Sequence, residues 1–264
     1  MRVPLYQVDA FTTRRFTGNP AAVMRLERFP DDARLQAIAA ENNLAETAFL
    51  VPDGDDYRLR WFTPAVEVPL CGHATLASAA VLLERVQPGR DSVRFHTASG
   101  ILTVRRSGNG YVMDFPARLS RRIDVPDALA RALGARPIEV LADEFNYLVV
   151  LASEQELRTL APDFAAIARL DRGGVIVTAR AAAPYDFVSR YFTPAQGICE
   201  DPVTGSAHCA LAPYWAGSLG RTDFRAFQAS HRGGEVLCRL RGERVELEGA
   251  CVFYLEGNAE IEPV

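Results

Sequence analysis

One stretch combines two acidic residues, a proline and a glycine, and it leads into an alanine-rich run: Glu200-Asp201-Pro202-Val203-Thr204-Gly205-Ser206-Ala207-His208. Because Asp201 stands before a proline, its backbone is biased toward extended geometry, and we expect a loop that leads into a helix. The first N–H groups of a helix have no partner within it, so a helix start of this kind suits an anion. A glycine there lets a ligand approach the backbone closely. The stretch therefore predicts an anion-binding helix start.

A related stretch occurs earlier in the chain. Arg60-Trp61-Phe62-Thr63-Pro64 parallels Arg190-Tyr191-Phe192-Thr193-Pro194, and the earlier copy leads into Pro69-Leu70-Cys71-Gly72-His73-Ala74-Thr75 and another run of small residues. Both copies predict a strand, a turn, a polar loop and a small-residue helix. The repetition predicts two related halves, residues 1–117 and 118–264. The segment near 256–264 is able to return to the first half.

Three side chains of the first half each allow a structural and a chemical interpretation. Glu46, the one charged residue of the apolar predicted strand 44–51, lies either at a sheet edge in water or among apolar neighbours. In the second case, desolvation raises its pKa and lets it exchange a proton near neutral pH. His73, close to a predicted helix start, is either a cap or a neutral proton donor and acceptor. Asn19 forms a turn with Gly18 or contacts a substrate.

Composition excludes several classes of protein. The chain has 264 residues and a net charge of -4, so we expect no nucleic-acid partner, and we find neither an apolar membrane segment nor a signal peptide. Its five cysteines lack CxxC spacing, which indicates reduced thiols in the cytoplasm and no zinc site. All basic positions are arginine, which excludes a pyridoxal-phosphate Schiff base and a Walker P-loop. Since GxGxxG and HExxH are also absent, we expect no cofactor and no metal.

Five motifs closely resemble those of the phenazine-biosynthesis PhzF-like isomerase family, in the order that the family has them. These motifs are 8–12 (VDAFT), 16–20 (FTGNP), 43–47 (NLAET), 70–75 (LCGHAT) and 200–207 (EDPVTGSA). The resemblance implies the α+β fold of diaminopimelate epimerase. In that fold, two pseudo-symmetric halves each form a curled β-sheet or barrel around a central α-helix, with the active site in a cleft between the halves. It also implies a homodimer.

The same resemblance assigns roles to residues of this chain. Glu46 matches the proton-transferring glutamate, and His73 and Asp201 match catalytic polar groups beside it. Cys71 and Asp201 also correspond to the two thiol bases of diaminopimelate epimerase, so a symmetric two-thiol mechanism does not fit. The groups expected to bind the substrate are Asn19, Gly72, Gly205 and Ser206. Near the C-terminus, Arg232-Gly233-Gly234 replaces a Gly-Arg-Pro sequence of many relatives.

Three functions follow as hypotheses. The first is a cofactor-independent isomerase that uses Glu46 to move a proton between two carbons of a small carboxylated metabolite. The second is an amino-acid epimerase or racemase with Cys71 and Asp201 as its bases. The third is a protein of the same fold that binds a carboxylate without catalysis.

Overall fold

The computed structural model describes residues 1–108 and 110–262, which form two compact units. The first unit comprises Met1–Asp114 and Glu248–Val264, and the second comprises Phe115–Leu247. The hairpin turn that the sequence predicts at Ser107-Gly108-Asn109-Gly110 includes Asn109 and therefore lies outside the described residues. The last two residues of segment 256–264 also lie outside them.

Strands dominate the first unit. Its helices are α1 (Asp32–Asn42) and α2 (Gly72–Val81), and a π-helical turn, Leu82–Val86, follows α2. Its strands are β1 (Arg2–Ala10), β2 (Asn19–Arg25), β3 (Glu46–Asp53), β4 (Asp56–Phe62), β5 (Glu67–Val68), β6 (Ser92–Thr97), β7 (Gly100–Ser107), β8 (Gly110–Pro116) and, after the second unit, β17 (Cys251–Glu260). The end of β8 already belongs to the second unit.

The second unit repeats this mixture of strands and few helices. Its helices are α3 (Asp127–Leu133), α4 (Glu154–Arg158), α5 (Phe164–Ile167) and α6 (Gly205–Leu219), with a short 3₁₀ turn at Pro194–Gln196. Its strands are β9 (Arg121–Ile123), β10 (Glu139–Ala142), β11 (Asn146–Val150), β12 (Gly174–Arg180), β13 (Phe187–Phe192), β14 (Asp223–Gln228), β15 (Gly234–Arg241) and β16 (Arg244–Gly249).

Strand directions repeat between the units. In the first, β1–β2 is antiparallel, β2–β3 parallel, β3–β4 antiparallel, β4–β6 parallel and β6–β7 antiparallel. The series β10, β11, β12, β13, β14 and β15 shows the same alternation. Helices provide the crossovers that parallel neighbours require, with α2 and α6 at equivalent places. This confirms the predicted α+β fold with two related halves, and the sheet is not a closed barrel.

The central helix of the first unit is α2. It contacts β1, β2, β3, β7 and β17, and every residue from His73 to Val81 is buried. A helix that is apolar on all sides must be enclosed by other elements, and small side chains let the surrounding strands approach closely. The alanine-rich sequence of α2 therefore explains its place inside the curled sheet.

In the second unit, α6 takes the corresponding place. Trp215 donates from Nε1 to the Thr178 hydroxyl on β12 and stacks on Phe187 of β13 at 5.4 Å between ring centroids. The helix ends at Gly220, whose φ of 68° is readily adopted by glycine. Helix α6 thus packs against β12, β13 and β15 of its own unit.

Two local differences from the sequence prediction concern helix length and a strand. The sequence after Cys71-Gly72-His73 predicts one helix that extends to about Arg85. The α-helix instead ends at Val81 and widens into a π turn, closed by a 2.7 Å bond from the Gln87 N–H to the Leu82 carbonyl. The polar, arginine-rich sequence of residues 116–122 predicts a linker between the halves, but this segment contains the start of β9, which pairs with β10. In the described residues, no helix is both long and apolar enough to cross a membrane.

Candidate active site

Helix α2 has no side-chain cap at its N-terminus. Cys71, the N-cap residue, has extended backbone geometry and makes no capping hydrogen bond with its side chain, and Gly72 is the first helical residue. The Thr75 hydroxyl donates to the Cys71 carbonyl at 2.5 Å, which fixes the first turn. N–H groups at such a start can bind a carboxylate, and the helix dipole favours a negative charge there.

Glu46 lies beside His73, a residue of the first turn of α2. Glu46 Oε2 and His73 Nε2 are 3.2 Å apart, with side-chain exposures of 11% and 4%. Glu46 opens β3, which lies between β2 and β4, so it is an interior position of the sheet. The alternative that placed Glu46 at a sheet edge in water is therefore wrong.

Burial keeps His73 neutral. Desolvation lowers the pKa of this imidazole to about 3, and a hydrogen bond with the Pro20 carbonyl offsets part of that effect. A neutral imidazole carries one N–H donor and one acceptor nitrogen. At physiological pH the neutral ring is therefore not a counter-ion of Glu46, and the 3.2 Å pair of Glu46 Oε2 and His73 Nε2 does not have the geometry of a hydrogen bond.

The other ring nitrogen of His73 is held by two neighbours. Asn19 Nδ2 lies 3.1 Å from His73 Nδ1, and Cys71 Sγ lies 3.4 Å from the same atom. Because the Asn19 amide donates to Nδ1, the imidazole proton belongs on Nε2, the nitrogen that faces Glu46. Asn19 is fully buried at the start of β2. Its side chain thus reaches His73 in addition to closing the turn.

Among the described residues, one group of side chains could hold a metal ion, and it consists of Glu46, Cys71 and His73. Each offers one ligand atom, and these atoms lie within 4.8 Å of one another. Carboxylate, thiolate and imidazole together suit a borderline ion such as zinc. The same closeness suits direct proton exchange among the three side chains, which needs no metal.

At the start of α6, a polar cluster surrounds Asp201. The Thr204 hydroxyl donates a short hydrogen bond to Asp201 Oδ2, and the Asp201 N–H donates to the Tyr191 carbonyl at 3.1 Å. Asp201 is 9% exposed. Gly205 is buried as the first residue of the helix, and Ser206 is half-buried in its first turn. The loop therefore places a nearly buried carboxylate just before a helix N-terminus.

Sequence reasoning missed Gln228, which fixes this loop. It is fully buried at the end of β14, and its Oε1 accepts from the Thr204 N–H at 2.8 Å. Its Nε2 donates to the Asp201 carbonyl at 2.8 Å and to the Thr204 hydroxyl at 3.1 Å. Gln228 belongs to no motif that a single sequence would reveal, so tertiary structure was needed to find it.

Thr204 occupies the position in α6 that Cys71 has in α2. Each is the N-cap residue, with extended backbone geometry, before a glycine that starts the helix. The parallel was visible in the sequence, where Pro69-Leu70-Cys71-Gly72 matches Pro202-Val203-Thr204-Gly205. Asp201 lies three residues before that equivalent position. The second unit therefore has a hydroxyl at the place of the Cys71 thiol.

Nor does Glu46 have a counterpart in the second unit. Glu46 faces Ala21 on β2 and is followed by Thr47, which faces Phe62. At the equivalent register, Gly174 faces Asn146 and is followed by Val175, which faces Phe192. A Cβ atom on Gly174 would lie 2.3 Å from the Tyr191 hydroxyl and 2.5 Å from Asn146 Oδ1. Of these two equivalent positions, only that of the first unit, Glu46, carries a carboxylate.

His208, Cys209 and Cys238 are structural residues. His208 is fully buried, its Nδ1 donates to the Thr204 carbonyl at 2.8 Å, and burial lowers its pKa to about 4. This agrees with its interpretation as a packing residue. Cys209 and Cys238 are buried, as expected of small apolar residues. The sequence predicts Cys199 to be a small apolar filler as well, but this residue is exposed, so that prediction is wrong.

Comparison with known proteins gives consistent results over nearly the whole chain. The phenazine biosynthesis-like family PhzC-PhzF matches residues 8–257. An uncharacterized isomerase of Pseudomonas aeruginosa is 52% identical over 261 residues, covering 99% of this chain and 100% of that protein. A crystal structure of a phenazine biosynthesis protein of the PhzF family from Enterococcus faecalis has a TM-score of 0.95 at 44% identity, covering 99% and 100%. A probable proline racemase from Agrobacterium radiobacter shares the fold alone, with a TM-score of 0.62 at 12% identity over 99% and 94%.

Proposed function

The chain belongs to the phenazine biosynthesis-like family PhzC-PhzF, and on that premise we propose that it is an isomerase that moves a proton between two carbons of a small carboxylated metabolite. The proposal needs no cofactor, because an enzyme carboxylate carries the proton. The observation that supports it best is the placement of Glu46, nearly buried and 3.2 Å from a neutral imidazole of His73.

Glu46 acts as the base and then as the acid. Its carboxylate removes a proton from one carbon of the substrate, and the electron pair of the broken C–H bond shifts along an adjacent double bond. The resulting carboxylic acid returns the proton to a second carbon, so one C–H bond breaks, another forms and no electron is gained or lost. A carboxylate withdrawn from water takes up a proton more readily than an exposed one, which suits this role.

His73 and the start of α2 bind and orient the substrate. The neutral His73 ring lies beside Glu46, with Nε2 3.2 Å from Oε2, and its N–H can donate to a bound substrate. The uncapped N–H groups after Cys71 suit the substrate carboxylate. Positioning of this kind contributes strongly to rate, because a reacting pair held in place avoids the entropic cost of meeting.

Asp201 and Ser206 contribute polar groups from the second unit. We propose that Asp201 holds a hydroxyl or amine of the substrate and assists the return of the proton, while Gly205 and Ser206 bind through the N-terminus of α6. Thr204 and Gln228 fix the direction of Asp201 through the hydrogen bonds described above. Loss of Asp201 should therefore slow the reaction with less effect than loss of Glu46.

Proton NMR in D₂O tests this function. The protein is incubated with a panel of small carboxylates, including β,γ-unsaturated acids and α-amino acids, and products and deuterium uptake are followed. We expect the wild-type protein to move the double bond of at least one substrate in the panel. The Glu46→Gln variant should leave that double bond in place. Glu41→Gln, which changes an exposed carboxylate on α1, is the matched control and should behave as wild type. Rearrangement at the wild-type rate in Glu46→Gln would refute the mechanism.

An epimerase with Cys71 and Asp201 as its two bases is the second candidate. The observation in its favour is the buried Cys71 thiol, 3.4 Å from His73 Nδ1. The equivalence of Cys71 with Thr204, and not with Asp201, counts against it. In this mechanism an α-proton exchanges with solvent and the configuration inverts.

Substitution separates the two mechanisms better than alkylation does, because the exposed Cys199 would also react with a thiol reagent. In a Cys199→Ala background, Cys71→Ala should abolish α-carbon exchange if the epimerase mechanism operates. Migration of a double bond that survives Cys71→Ala but not Glu46→Gln would establish the isomerase mechanism. A protein that binds carboxylates and exchanges no proton in any substrate of the panel would instead fit a binding function.

A further inference from the structure

A second feature of this chain that suits a ligand is a groove in the second unit. The groove encloses about 560 Å³ and is lined by Arg118, Leu119, Arg121, Ile123, Ala142, Asp143, Glu144, Phe145 and Arg172. Small-molecule sites commonly have volumes of about 300–1,000 Å³. We propose that this groove, hereafter the Arg118 groove, binds a small organic anion that carries an aromatic ring. This proposal does not depend on the proton-transfer function.

Two arginines in the groove have unused donors. Among the described residues, the guanidinium groups of Arg118 and Arg121 donate no hydrogen bond and form no ion pair. Arg172 is different, because it donates to the Asp143 carbonyl and the Tyr147 hydroxyl and pairs with Asp171. An arginine presents several N–H donors in a planar fork that matches a carboxylate. Arg118 and Arg121 therefore supply the binding site for the anionic group.

Apolar surface beside these arginines indicates the rest of the ligand. Phe145 is 53% exposed and Leu119 is 77% exposed, which is unusual for side chains of their size. The Arg118 guanidinium already lies over the Phe145 ring, 5.0 Å from its centroid. A planar ring can pack on Phe145 while its carboxylate meets Arg118, so one ligand would satisfy both kinds of surface.

The loop that carries Phe145 is held in place. Asp143 Oδ1 accepts from the backbone N–H groups of Phe145 and Asn146 at 2.8 and 2.7 Å. The Phe145 carbonyl accepts from the Gly173 N–H at 3.0 Å, and the Arg172 side chain ties the Asp143 carbonyl. A ligand therefore meets a wall that is already formed, which lowers the entropic cost of binding.

Charges in the groove favour an anion in spite of its two acidic residues. Asp143 Oδ1 accepts two backbone hydrogen bonds, whereas its Oδ2 is buried and accepts none among the described residues. The Glu144 carboxylate is exposed, where water screens it. Of the three arginines, two remain available for a ligand. Removing the Glu144 charge should accordingly strengthen the binding of an anion.

The groove adjoins the loop of Asp201. Tyr191 has its pKa raised to about 12, chiefly by burial, and the charges of Asp201, Arg118 and Asp143 all act on it. The backbone of Tyr191 also accepts the hydrogen bond from the Asp201 N–H. An anion on Arg118 would therefore lie in the electrostatic surroundings of the Asp201 loop.

Isothermal titration calorimetry with benzoate tests the proposal, in a buffer of low chloride. Benzoate combines a carboxylate with a ring, whereas benzyl alcohol lacks the charge and acetate lacks the ring. We expect saturable binding of benzoate by the wild-type protein, and binding at least about tenfold weaker for each of the two partial ligands. Absence of saturable benzoate binding would overturn the proposal.

Variants locate the site. Arg118→Gln combined with Arg121→Gln should weaken benzoate binding at least about tenfold, Phe145→Ala should weaken it about threefold, and Glu144→Gln should strengthen it. Arg136→Gln, at an exposed arginine of the same unit, should bind as wild type. Unchanged binding in the double variant would contradict a site in the Arg118 groove.

Discussion

Asn19 Nδ2 lies 3.1 Å from His73 Nδ1, which fixes the opposite ring nitrogen as the one that faces Glu46. The two residues are 54 positions apart in the chain. Asn19 comes from the start of β2 and His73 from the first turn of α2, so the contact depends on how the helix enters the sheet. Asn19, which the local sequence places in a turn, thereby sets the tautomer of His73 beside the candidate base Glu46.

The first prediction concerns this contact. Asn19→Ala should reduce kcat about tenfold, because the imidazole loses the partner that orients it. Asn19→Asp should raise the pKa of His73 above its wild-type value of about 3, since a carboxylate beside Nδ1 favours the imidazolium form. The His73 ring signal in NMR titrations reports the change. Asn258→Ala, at an exposed position of β17, is the control, and equal loss of activity there would contradict the assignment.

The second prediction concerns stability against pH. Burial lowers the pKa of His73 to about 3 and of His208 to about 4, whereas histidine in an unfolded chain has a pKa of about 6.5. Between these values the unfolded state binds more protons, so the free energy of unfolding falls as the pH falls below about 6.5. At about pH 5, each histidine should lower that free energy by about 2 kcal/mol.

Chemical denaturation at about pH 7.5 and about pH 5 checks this prediction. His208→Asn should lose less stability than wild type between the two pH values, by about 2 kcal/mol. His231→Asn, at an exposed histidine, should lose as much as wild type. A pH dependence in His208→Asn equal to that of wild type would show that burial does not keep His208 neutral.

The third prediction concerns Gln228. Its amide makes hydrogen bonds at both ends to the Asp201 and Thr204 loop, so Gln228→Leu leaves buried polar groups without partners. We expect the free energy of unfolding to fall by about 2–3 kcal/mol. Gln155→Leu, at an exposed glutamine of α4, should leave it unchanged. Full stability in Gln228→Leu, measured by urea denaturation, would mean that the loop does not depend on this side chain.

The fourth prediction concerns the register position that Gly174 shares with Glu46. A Cβ atom at Gly174 would lie 2.3 Å from the Tyr191 hydroxyl, so Gly174→Ala forces β12 or Tyr191 to move. It should lower the free energy of unfolding by about 2 kcal/mol. Gly217→Ala on α6 meets no atom within 4 Å and should be neutral or stabilising by up to about 1 kcal/mol. Equal stability of the two variants would contradict the packing described for Gly174.

Local sequence patterns predicted a large part of the fold. The sequence Pro30-Asp31-Asp32 predicts a helix cap, and Asp31 Oδ1 accepts from the Arg34 N–H at 2.9 Å. The repeated Phe-Thr-Pro and glycine pattern predicted two small-residue helices at equivalent places, which α2 and α6 confirm. The family resemblance carried by the five motifs is confirmed by the match over residues 8–257. These features depend on residues close in sequence or on motifs spread along the whole chain.

Features that depend on tertiary contacts were not predicted. Nothing in the sequence near Gln228 indicates that it reaches Asp201, and nothing near Asn19 indicates that it meets His73. The polar, arginine-rich sequence of β9 predicts a linker. The segment forms a strand because it pairs with β10, and that pairing is not visible in the local sequence. The apolar neighbours of Glu46 left two interpretations open, and the position of β3 between two other strands decided between them.

The most direct test of the central claim is the rate at which deuterium from D₂O enters the reacting carbon of the substrate, compared between Glu46→Gln and Glu41→Gln. Both variants neutralise one carboxylate of the same unit, so they share any general effect of charge. We predict a rate at least about 10²-fold lower for Glu46→Gln and a wild-type rate for Glu41→Gln. Equal rates in the two variants would show that Glu46 does not carry the proton.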